Sequence, residues 1–313
     1  MPYGQYRIGG TANPDSEPVV VPPNKGRALV WLDASDGTTI VSQSGNEVTE
    51  VSDKANGLTY RSDTRAPATG GPDTGTDTIG GLNVFNFSAS ETLRSHIGSS
   101  DPSAFSVYDL NNENCISMAF IGQTNNPSTD GSSRVFTLNA GTLLSSDFKF
   151  DVTPGTFTNN RIVPRVNSNN RWNILSAPES LVLGAPYIFC CTLTLPSKNT
   201  ANTENTIIHK FELNGVGEGY DSTPLNNGDS SADFNDPVEI LFGGRPSNNT
   251  FSGVLNSITS EKWYGLLGEI ILFRGYWSPT ELTGYLAHKW SQTGLLPVTH
   301  EYKTVAPTLP SFI

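Results

Sequence analysis

The fold of this chain is decided by the stretch "GEIILFRGYWSPTELTGYLAHKW", which runs from Gly268 to Trp290. Its first part places four apolar residues in a row at 270–273. A run of such high β-propensity predicts a strand that is covered on both faces. Its second part begins with "SPTE", where Ser278 at the N-cap, a proline at the first helical position and Glu281 at the third form a capping box. The stretch therefore predicts a buried strand followed by a well-capped helix.

The predicted helix has one apolar side and a basic last turn. His288 and Lys289 fall in that turn, where positive charge is favourable to the helix dipole. Each residue of the helix thus has a packing or capping role, and we expect the helix to cover an end or edge of a β domain. The apolar residues that share one stripe along it are Leu282, Tyr285, Leu286 and Trp290.

The rest of the chain has the composition of short strands joined by turns. It contains 30 Gly and 21 Pro in 313 residues, and only 16% of its residues are charged. Many strand patterns at turn-punctuated spacing indicate a sandwich or a barrel. The segment "RALVWLDASD" predicts the first ordered strand, from Ala28 to Asp33, with both of its faces largely buried.

Two segments predict hairpins. The tetrapeptide "ELNG", from Glu212 to Gly215, has the sequence of a tight two-residue turn. The polar segment "NNPSTDGSSR" lies between Gln123 and Val135 and separates "CISMAFIG" from "RVFTLNA". We therefore expect the strands on either side of that segment to pair with each other as well.

Both ends of the chain resemble one family. The segments "GEIILF", "SPTELTGYLAHKW" and "LLPVTHEY" look like the C-terminal signature of the laminin-G-like, concanavalin A-type jelly-roll family. The segments "LVWLDASDGTTI" and "VTEVSDKANG" resemble its first strands, with Val51 in place of the family's usual Trp. Residues 60–260 match the family only in strand rhythm. The resemblance implies an all-β, concanavalin A-like (laminin-G-like) jelly-roll sandwich with one short C-terminal capped helix.

This reading divides the chain into three parts. Residues 1–26 are rich in Pro and Gly and predict an extended N-terminal arm. The segment "PVVVPP" within them suits docking onto a neighbour, and the alternative is a disordered tail. Residues 27–297 are predicted to form the concanavalin A-like β-sandwich, and residues 298–313 a C-terminal tail.

Charge and composition exclude several classes of partner. The formal net charge is −11 with no run of Lys or Arg, which argues against nucleic acid and against anionic membrane surfaces. No apolar stretch is long enough for a membrane helix. The three cysteines, at positions 115, 190 and 191, show no metal-binding spacing and predict buried, reduced thiols. Without a secretory signal in its sequence, the protein is expected to be made and folded in a reducing cytoplasm.

The sequence shows no set of catalytic residues, so we expect no enzyme activity. Glycanases of the resembled class carry paired carboxylates in an E-x-D-x-x-E strand motif, and this chain lacks it. No GxSxG elbow accompanies the histidines. No cofactor is expected, although the loop from Asp221 to Asp236 is rich enough in Asp and Asn to be the best candidate for calcium. The four histidines are His96, His209, His288 and His300.

One short segment has the residues of a sugar platform. "NSNNRWNIL" places Arg171 and Trp172 directly after a polar turn, where an indole ring stacks on a sugar face beside a guanidinium donor. The alternative is that Trp172 packs into the sandwich and Arg171 lies on the surface.

The resembled family is common in phage virion proteins and in marine bacterial surface proteins. The leading hypothesis is a phage virion structural protein, in the role of capsid decoration, head fibre or tail fibre. It would bind other virion proteins through the arm, form a homo-oligomer and attach to cell-surface glycans. Its location would be the virion. The alternatives are a bacterial carbohydrate-binding adhesin module and a divergent glycoside hydrolase or lyase, because one fold hosts many functions.

Overall fold

A computed structural model describes residues 28–55, 57–62, 70–88, 91–95, 115–126, 134–140, 148–154, 162–168, 171–174, 181–194, 206–224, 238–244, 262–274 and 277–307. In several strands, including all those between residues 148 and 174, the description covers the backbone alone. The predicted arm lies outside the described residues, so it stays a prediction.

The paired strands form two main antiparallel sheets and one small ribbon. The first sheet has seven strands in the order β1-β18-β9-β14-β15-β16, with β7 paired to β18. Its members are β1 (Ala28–Asp33), β7 (Phe85–Phe87), β9 (Cys115–Asn126), β14 (Pro186–Thr194), β15 (Thr206–Leu213), β16 (Val216–Pro224) and β18 (Tyr264–Arg274). Strands β5 (Thr78–Ile79) and β6 (Leu82–Asn83) form the ribbon.

The second sheet has nine strands in the order β13-β12-β11-β10-β17-β8-β4-β3-β2. Its strands come from both halves of the chain, so the sheet forms only when segments that are distant in the sequence pair, as β17 does with β8. Its members are β2 (Ile40–Ser44), β3 (Glu47–Ser52), β4 (Thr59–Ser62), β8 (Leu93–Arg94), β10 (Phe136–Ala140), β11 (Phe148–Pro154), β12 (Ile162–Ser168), β13 (Arg171–Ile174) and β17 (Val238–Phe242).

The two sheets enclose the main hydrophobic core. Tyr60 and Phe136 of the nine-stranded sheet pack there with Phe120 and Leu272 of the seven-stranded sheet, and each is essentially inaccessible to water. Aromatic rings fill the space between them, as in the edge-to-face contact of Tyr60 with Phe242 at 5.2 Å. This arrangement is the jelly-roll sandwich that the sequence predicts.

A second core lies on the outer face of the seven-stranded sheet. The single α-helix described, α1 (Pro279–Lys289), covers that face with its apolar stripe, and Trp290 at its C-cap is fully buried. The predicted two-sided strand is confirmed, because Ile270 and Leu272 enter the core between the sheets while Ile271 and Phe273 enter the core under the helix. The molecule therefore has three layers: helix, seven-stranded sheet and nine-stranded sheet.

The cysteines follow the same alternation along β14. Cys190 lies under the helix, Cys191 lies between the sheets, and both are buried thiols outside any disulfide. The prediction of buried, reduced thiols is confirmed for these two residues. The side chain of Cys115 lies outside the described residues.

The predicted cap and tight turn are both confirmed. The Ser278 hydroxyl accepts a hydrogen bond from the backbone N–H of Glu281 at 3.5 Å. Strands β15 and β16 pair directly through Leu213 and Val216. The two turn residues between them, Asn214 and Gly215, have φ angles of 53° and 77°, as a type I′ turn requires.

The hairpin predicted across "NNPSTDGSSR" is wrong. Strand β9 pairs with β14 and β18, whereas β10 pairs with β11 and β17 in the other sheet. The physical reason is the difference in their patterns. Residues 117–121 are buried continuously, so β9 needs cover on both faces and lies under the helix. Strand β10 alternates apolar and polar residues, which suits the sheet that has one polar face.

Among the described residues, no helix combines the length and the apolar character needed to cross a bilayer.

Candidate functional site

The outer face of the nine-stranded sheet is where polar and charged residues collect. Hydrogen-bonded neighbours on adjacent strands share one side of a sheet, so a row of paired residues can be traced across it. The residues of this row flank Phe136 and Phe242, which enter the core, so the row lies on the opposite side. From β3 to β10 the row consists of Glu50, Arg61, Arg94, Leu241 and Thr137.

The part of this face formed by β2, β3 and β4 is open to solvent. The Nε atom of Arg61 lies 3.3 Å from the Oε2 atom of Glu50, and the two side chains are 47% and 27% exposed. Beside them, the hydroxyl of Thr49 donates a hydrogen bond to that of Ser42 at 2.8 Å. This patch offers hydroxyl, carboxylate and guanidinium groups to solvent. Such groups can donate to and accept from a polyhydroxylated ligand.

The middle of the same face is covered. Arg94, Leu241 and Thr137 have almost no exposed surface although they lie on the outer side. The hydroxyl of Thr137 donates a hydrogen bond at 3.0 Å to the carbonyl of Gly244, just after β17. The carbonyl of Gly244 therefore lies over this part of the face, and the buried side chains in the middle of the row are not accessible to a ligand.

The predicted sugar-binding residues lie on the edge strand β13. Trp172 pairs with Asn167, which pairs with Lys149, which pairs with Asn139. Because Asn139 is two residues from Thr137 on the same strand, the backbone register groups Trp172 with the outer-face row. Arg171 pairs with Ser168 and belongs to the alternate row. The side chains of Arg171 and Trp172 lie outside the description, so the sugar platform stays a prediction.

Only the first residues of the predicted calcium loop, 221–224, belong to the described part of the chain. Asp221 lies on β16, where its backbone pairs with His209, and residues 225–237 lie outside the described part of the chain. Within the described ranges, no group of three or more His, Cys, Asp and Glu residues has an arrangement that could hold a metal ion. The loop stays the best calcium candidate of a chain for which no cofactor is expected.

A buried charge centre lies between the helix and the seven-stranded sheet, and the sequence reading missed it. Glu269 of β18 is completely buried and accepts hydrogen bonds from four side chains. Its Oε1 atom accepts from Trp31 at 2.8 Å and Tyr285 at 3.1 Å. Its Oε2 atom accepts from Lys289 at 2.8 Å and Trp290 at 3.0 Å. The carboxylate is thus fully satisfied by donors from β1, α1 and the residue that ends the helix.

The centre extends to Asp33 at the end of β1. Lys289 donates to Asp33 at 2.7 Å, and Lys54 donates to Asp33 at 3.0 Å and to Asp36 at 2.8 Å. Burial opposes ionisation of Asp33, but the Lys289 ammonium and hydrogen bonds from Lys289 and Ser35 outweigh it and hold the pKa of Asp33 below its ordinary value. Hydrogen bonds from Lys54 and Thr38 lower the pKa of Asp36 to about 2.

The segment that resembles the family's early signature joins this centre to the rest of the fold. Asp53 accepts from the backbone N–H of Trp31 at 3.1 Å and from the Tyr60 hydroxyl at 2.9 Å. Lys54 then lies 4.7 Å above the ring of Trp31, within range of a cation–π contact. The "SDK" residues therefore fix the first strand to the second sheet and to the charge centre.

A signal for this centre was present in the sequence. Glu269 interrupts an apolar strand that needs cover on both faces, and a carboxylate there requires a counter-charge. The helix pattern predicts only a role in the helix dipole for Lys289 and indicates no partner for the carboxylate of Glu269. The carboxylates of Glu269 and Asp33 are both held by hydrogen bonds and ion pairs to their neighbours. The centre is therefore structural, and we call it the charge clasp.

The described architecture places the chain in the class of jelly-roll β-sandwiches. No protein-family model matches the sequence, and no curated protein matches it either.

Several solved structures share the sandwich at low similarity. A heptameric SAP-like pentraxin from Limulus polyphemus matches 56% of this chain and 70% of its own, at 11% identity and a TM-score of 0.38. The CBM40 of Ruminococcus gnavus IT-sialidase, bound to α2,3 sialyllactose, matches 67% of this chain and 94% of its own, at 13% identity and a TM-score of 0.38. The binding domain of botulinum neurotoxin DC, in complex with rat synaptotagmin II, matches 86% of this chain and 53% of its own, at 10% identity and a TM-score of 0.47. This chain thus spans about half of the toxin chain. Likenesses at this level carry no argument about function.

Proposed function

We propose that this protein is a non-catalytic, lectin-like module that binds glycans with the outer face of its nine-stranded sheet. The observation that carries the proposal is the asymmetry of the sandwich. Helix α1 covers the outer face of the seven-stranded sheet with an apolar core, whereas the nine-stranded sheet exposes a polar patch at β2–β4. A ligand rich in hydroxyl groups suits the second face and not the first.

The edge strand β13 supplies the second part of the proposed site. Trp172 has the backbone register of the outer-face row, as a residue that stacks on a sugar ring from this face would need. Arg171 stands next to it at the sheet edge. Both the β13 edge and the β2–β4 patch lie outside the covered middle, so we propose β13 as the primary contact and the patch as a separate polar contact.

The absence of catalysis is part of the proposal. Retaining or inverting hydrolysis needs two carboxyl groups that reach the substrate. Asp33 and Glu269 share the ammonium of Lys289 and are buried, so this pair of carboxylates is not available to a glycan. Release of reducing ends from any polysaccharide of a broad panel would contradict this part.

We further propose that the module is displayed on a phage virion through the arm at residues 1–26. The acidic composition, rich in Asn, Ser and Thr, and the Pro-rich arm before the sandwich support this role. In this proposal the protein is made in the host cytoplasm, forms a homo-oligomer on the particle and presents its glycan-binding face outward.

Glycan binding is tested on an array with the full chain and matched variants. We expect binding to a defined set of glycans, at least about tenfold weaker in Trp172→Ala because an aromatic stacking partner is lost. Val182→Ala is the control, since Val182 is 71% exposed and lies in the turn that leads into β14 of the other sheet. No binding to any glycan, or equal loss in the control, would contradict the proposal.

Virion attachment is tested separately in a density gradient of lysate from the producing host. The full chain should sediment with assembled particles, and a chain that starts at residue 27 should remain at the top. If both chains stay at the top while the array shows binding, the module is a free adhesin.

A further inference from the structure

Residues 296–307, which we name the C-terminal strap, return across the helix after the last 3-10 turn. The ring of Tyr302 seats on Gly284 of α1, where a Cβ atom would lie 2.6 Å from the Cβ of Tyr302. The Nε2 atom of His288 donates a hydrogen bond to the carbonyl of Tyr302 at 2.8 Å. The first anchor of the strap is therefore the outer side of the helix.

The strap is also held to the turn that follows the helix. The ammonium of Lys303 donates to the carbonyls of Thr293 at 2.7 Å and Leu296 at 2.6 Å. These carbonyls belong to the end of a short helical turn, which attracts a cation. The ammonium thus closes a small loop around residues 293–303.

The second anchor is His300, which seats on the turn of the β15–β16 hairpin. Its ring is only 9% exposed. A Cβ atom on Gly215 would lie 2.6 Å from the Cδ2 atom of His300, so only a glycine leaves room for the ring. The Nδ1 atom of His300 accepts a hydrogen bond from the backbone N–H of Tyr302 at 3.2 Å. Its Nε2 atom is buried and has no hydrogen-bond partner in the part of the chain that the structure describes.

This geometry requires a neutral ring. An imidazole that accepts at Nδ1 carries its single proton on Nε2, and a protonated imidazole has no acceptor left. A second proton would place a donor at Nδ1 directly against the N–H of Tyr302. It would also put a charge on a buried ring whose Nε2 atom has no acceptor among the described residues.

We propose that the strap is an acid-sensitive latch. A proton from solvent binds Nδ1 of His300, the hydrogen bond from Tyr302 is lost, and the strap leaves the Asn214–Gly215 turn while the sandwich stays folded. Release uncovers the turn and the buried side chains of Leu296 and Tyr302.

Burial of His300 favours the closed form near neutral pH, because it lowers the pKa of the ring. On the strap itself, the Glu301 carboxylate opposes this effect and the Lys303 ammonium adds to it. On the helix, the facing groups are Glu281, which interacts with Glu301, and His288.

The hairpin contributes little charge to the latch. Its turn residues, Asn214 and Gly215, are uncharged, and Glu212 on β15 is bonded to Thr280 and Thr283. Since the closed strap binds the proton less readily than the open one, closure is complete above the ordinary His pKa of about 6.5 and weakens as the pH falls below it.

The test is hydrogen–deuterium exchange of the full chain at pH 7.5 and pH 5, corrected for the intrinsic exchange rate. Protection of a peptide covering residues 298–305 should fall by about tenfold at pH 5, while peptides of β9 and β18 keep theirs. In His300→Asn, whose side-chain oxygen replaces Nδ1 as the acceptor but does not titrate, protection should change less than about twofold. His288→Gln, which keeps a donor for Tyr302, is the matched control and should stay acid-sensitive.

Two results would overturn the latch. The first is equal protection of the strap at both pH values in the unmodified chain. The second is the same acid-induced loss in His300→Asn. If that variant does not fold, an NMR titration of the His300 ring in the unmodified chain decides the matter, because a pKa at or above about 6.5 contradicts a ring that is kept neutral by its seat.

Discussion

At the scale of single residues, the feature that most shapes this molecule is a carboxylate placed inside an apolar strand. Glu269 is fully buried, and water cannot solvate its charge. Its four hydrogen bonds replace that water, and Lys289 supplies the opposite charge while also reaching Asp33. A buried ion pair adds little net stability, yet removing one partner is costly because the other stays buried and charged.

Replacing Lys289 tests this directly. In Lys289→Met we expect the free energy of unfolding, measured by urea titration, to fall by about 2–4 kcal/mol, because Glu269 and Asp33 lose their shared cation. The lower part of that range reflects the 22% exposure of the Lys289 side chain. Arg61→Met is the control and should cost less than about 1 kcal/mol, since it breaks an exposed ion pair.

The double variant separates charge from packing. Adding Glu269→Gln to Lys289→Met should cost less than the sum of the two single changes, because the neutral amide no longer needs the cation. Strictly additive losses would contradict the role assigned to Lys289.

A second residue-scale prediction concerns Glu212, which accepts from the hydroxyls of Thr280 at 3.0 Å and Thr283 at 3.3 Å. Burial raises the pKa of Glu212, so its ionised form costs stability above the folded-state pKa. Glu212→Gln should therefore raise the free energy of unfolding at pH 7, by at most about 1 kcal/mol. Below pH 4.5 the carboxyl is protonated in both states and the difference should vanish. Urea titrations at pH 7 and pH 4 measure this difference. A lower free energy of unfolding for Glu212→Gln than for the unmodified chain at pH 7 would contradict the prediction.

At the scale of elements, strand β18 and helix α1 work as one unit. Alternate residues of the strand enter the two cores, and the helix covers the core on the outer face of its sheet. The apolar residues of the strand and of the helix are therefore buried against each other. Gly268 makes their contact possible, because a Cβ there would lie 2.8 Å from the ring of Trp290. Full burial of a large apolar side chain contributes roughly 1.5–3 kcal/mol, so Leu286 and Trp290 account for much of the docking of the helix.

The N-cap is the point where this unit is tested most simply. Ser278→Ala removes the acceptor for the N–H of Glu281 and should lower the free energy of unfolding by about 0.5–1 kcal/mol. Ser278→Asp keeps an acceptor and should stay within about 0.5 kcal/mol of the unmodified chain. Equal losses in the two variants would show that the side-chain bond does not contribute.

The elements also show what the sequence can and cannot predict. The helix, its cap, the turn at Asn214 and Gly215 and the two-sided strand all depend on neighbours in the sequence, and the structure confirms them. The pairing of β9 with β14 and β18 depends on which sheet each strand joins, and the hairpin rule gave the wrong partner. The contact of Trp31 with Glu269 joins residues 238 positions apart, which local patterns do not encode.

The candidate site was less predictable than the fold for the same reason. The open patch of Ser42, Thr49, Glu50 and Arg61 forms from three short strands, and its exposed face depends on an irregularity in the pairing of β2 with β3. Arg94 has a charged side chain and lies in the same row, yet it is buried. Only the three-dimensional arrangement separates the exposed arginine from the covered one.

At the scale of the whole molecule, the two sheets differ in what covers their outer faces. One sheet carries the helix and the charge clasp on its outer side, and the other presents its outer side to solvent at β2–β4. We expect the net charge of −11 of the whole chain to disfavour nucleic acid, so the proposed glycan contact would rest on hydrogen bonding and stacking. The proposed binding face is therefore the one on the opposite side of the molecule from the helix.

The most direct test of that location is hydrogen–deuterium exchange with and without a glycan that the array identifies as a ligand. We predict that saturating glycan slows exchange in peptides covering residues 162–174, with a smaller effect in peptides covering 42–61, and leaves the helix peptides at 278–290 unchanged. Slower exchange confined to the helix and the seven-stranded sheet would contradict the central claim that this protein binds glycans with the outer face of its nine-stranded sheet.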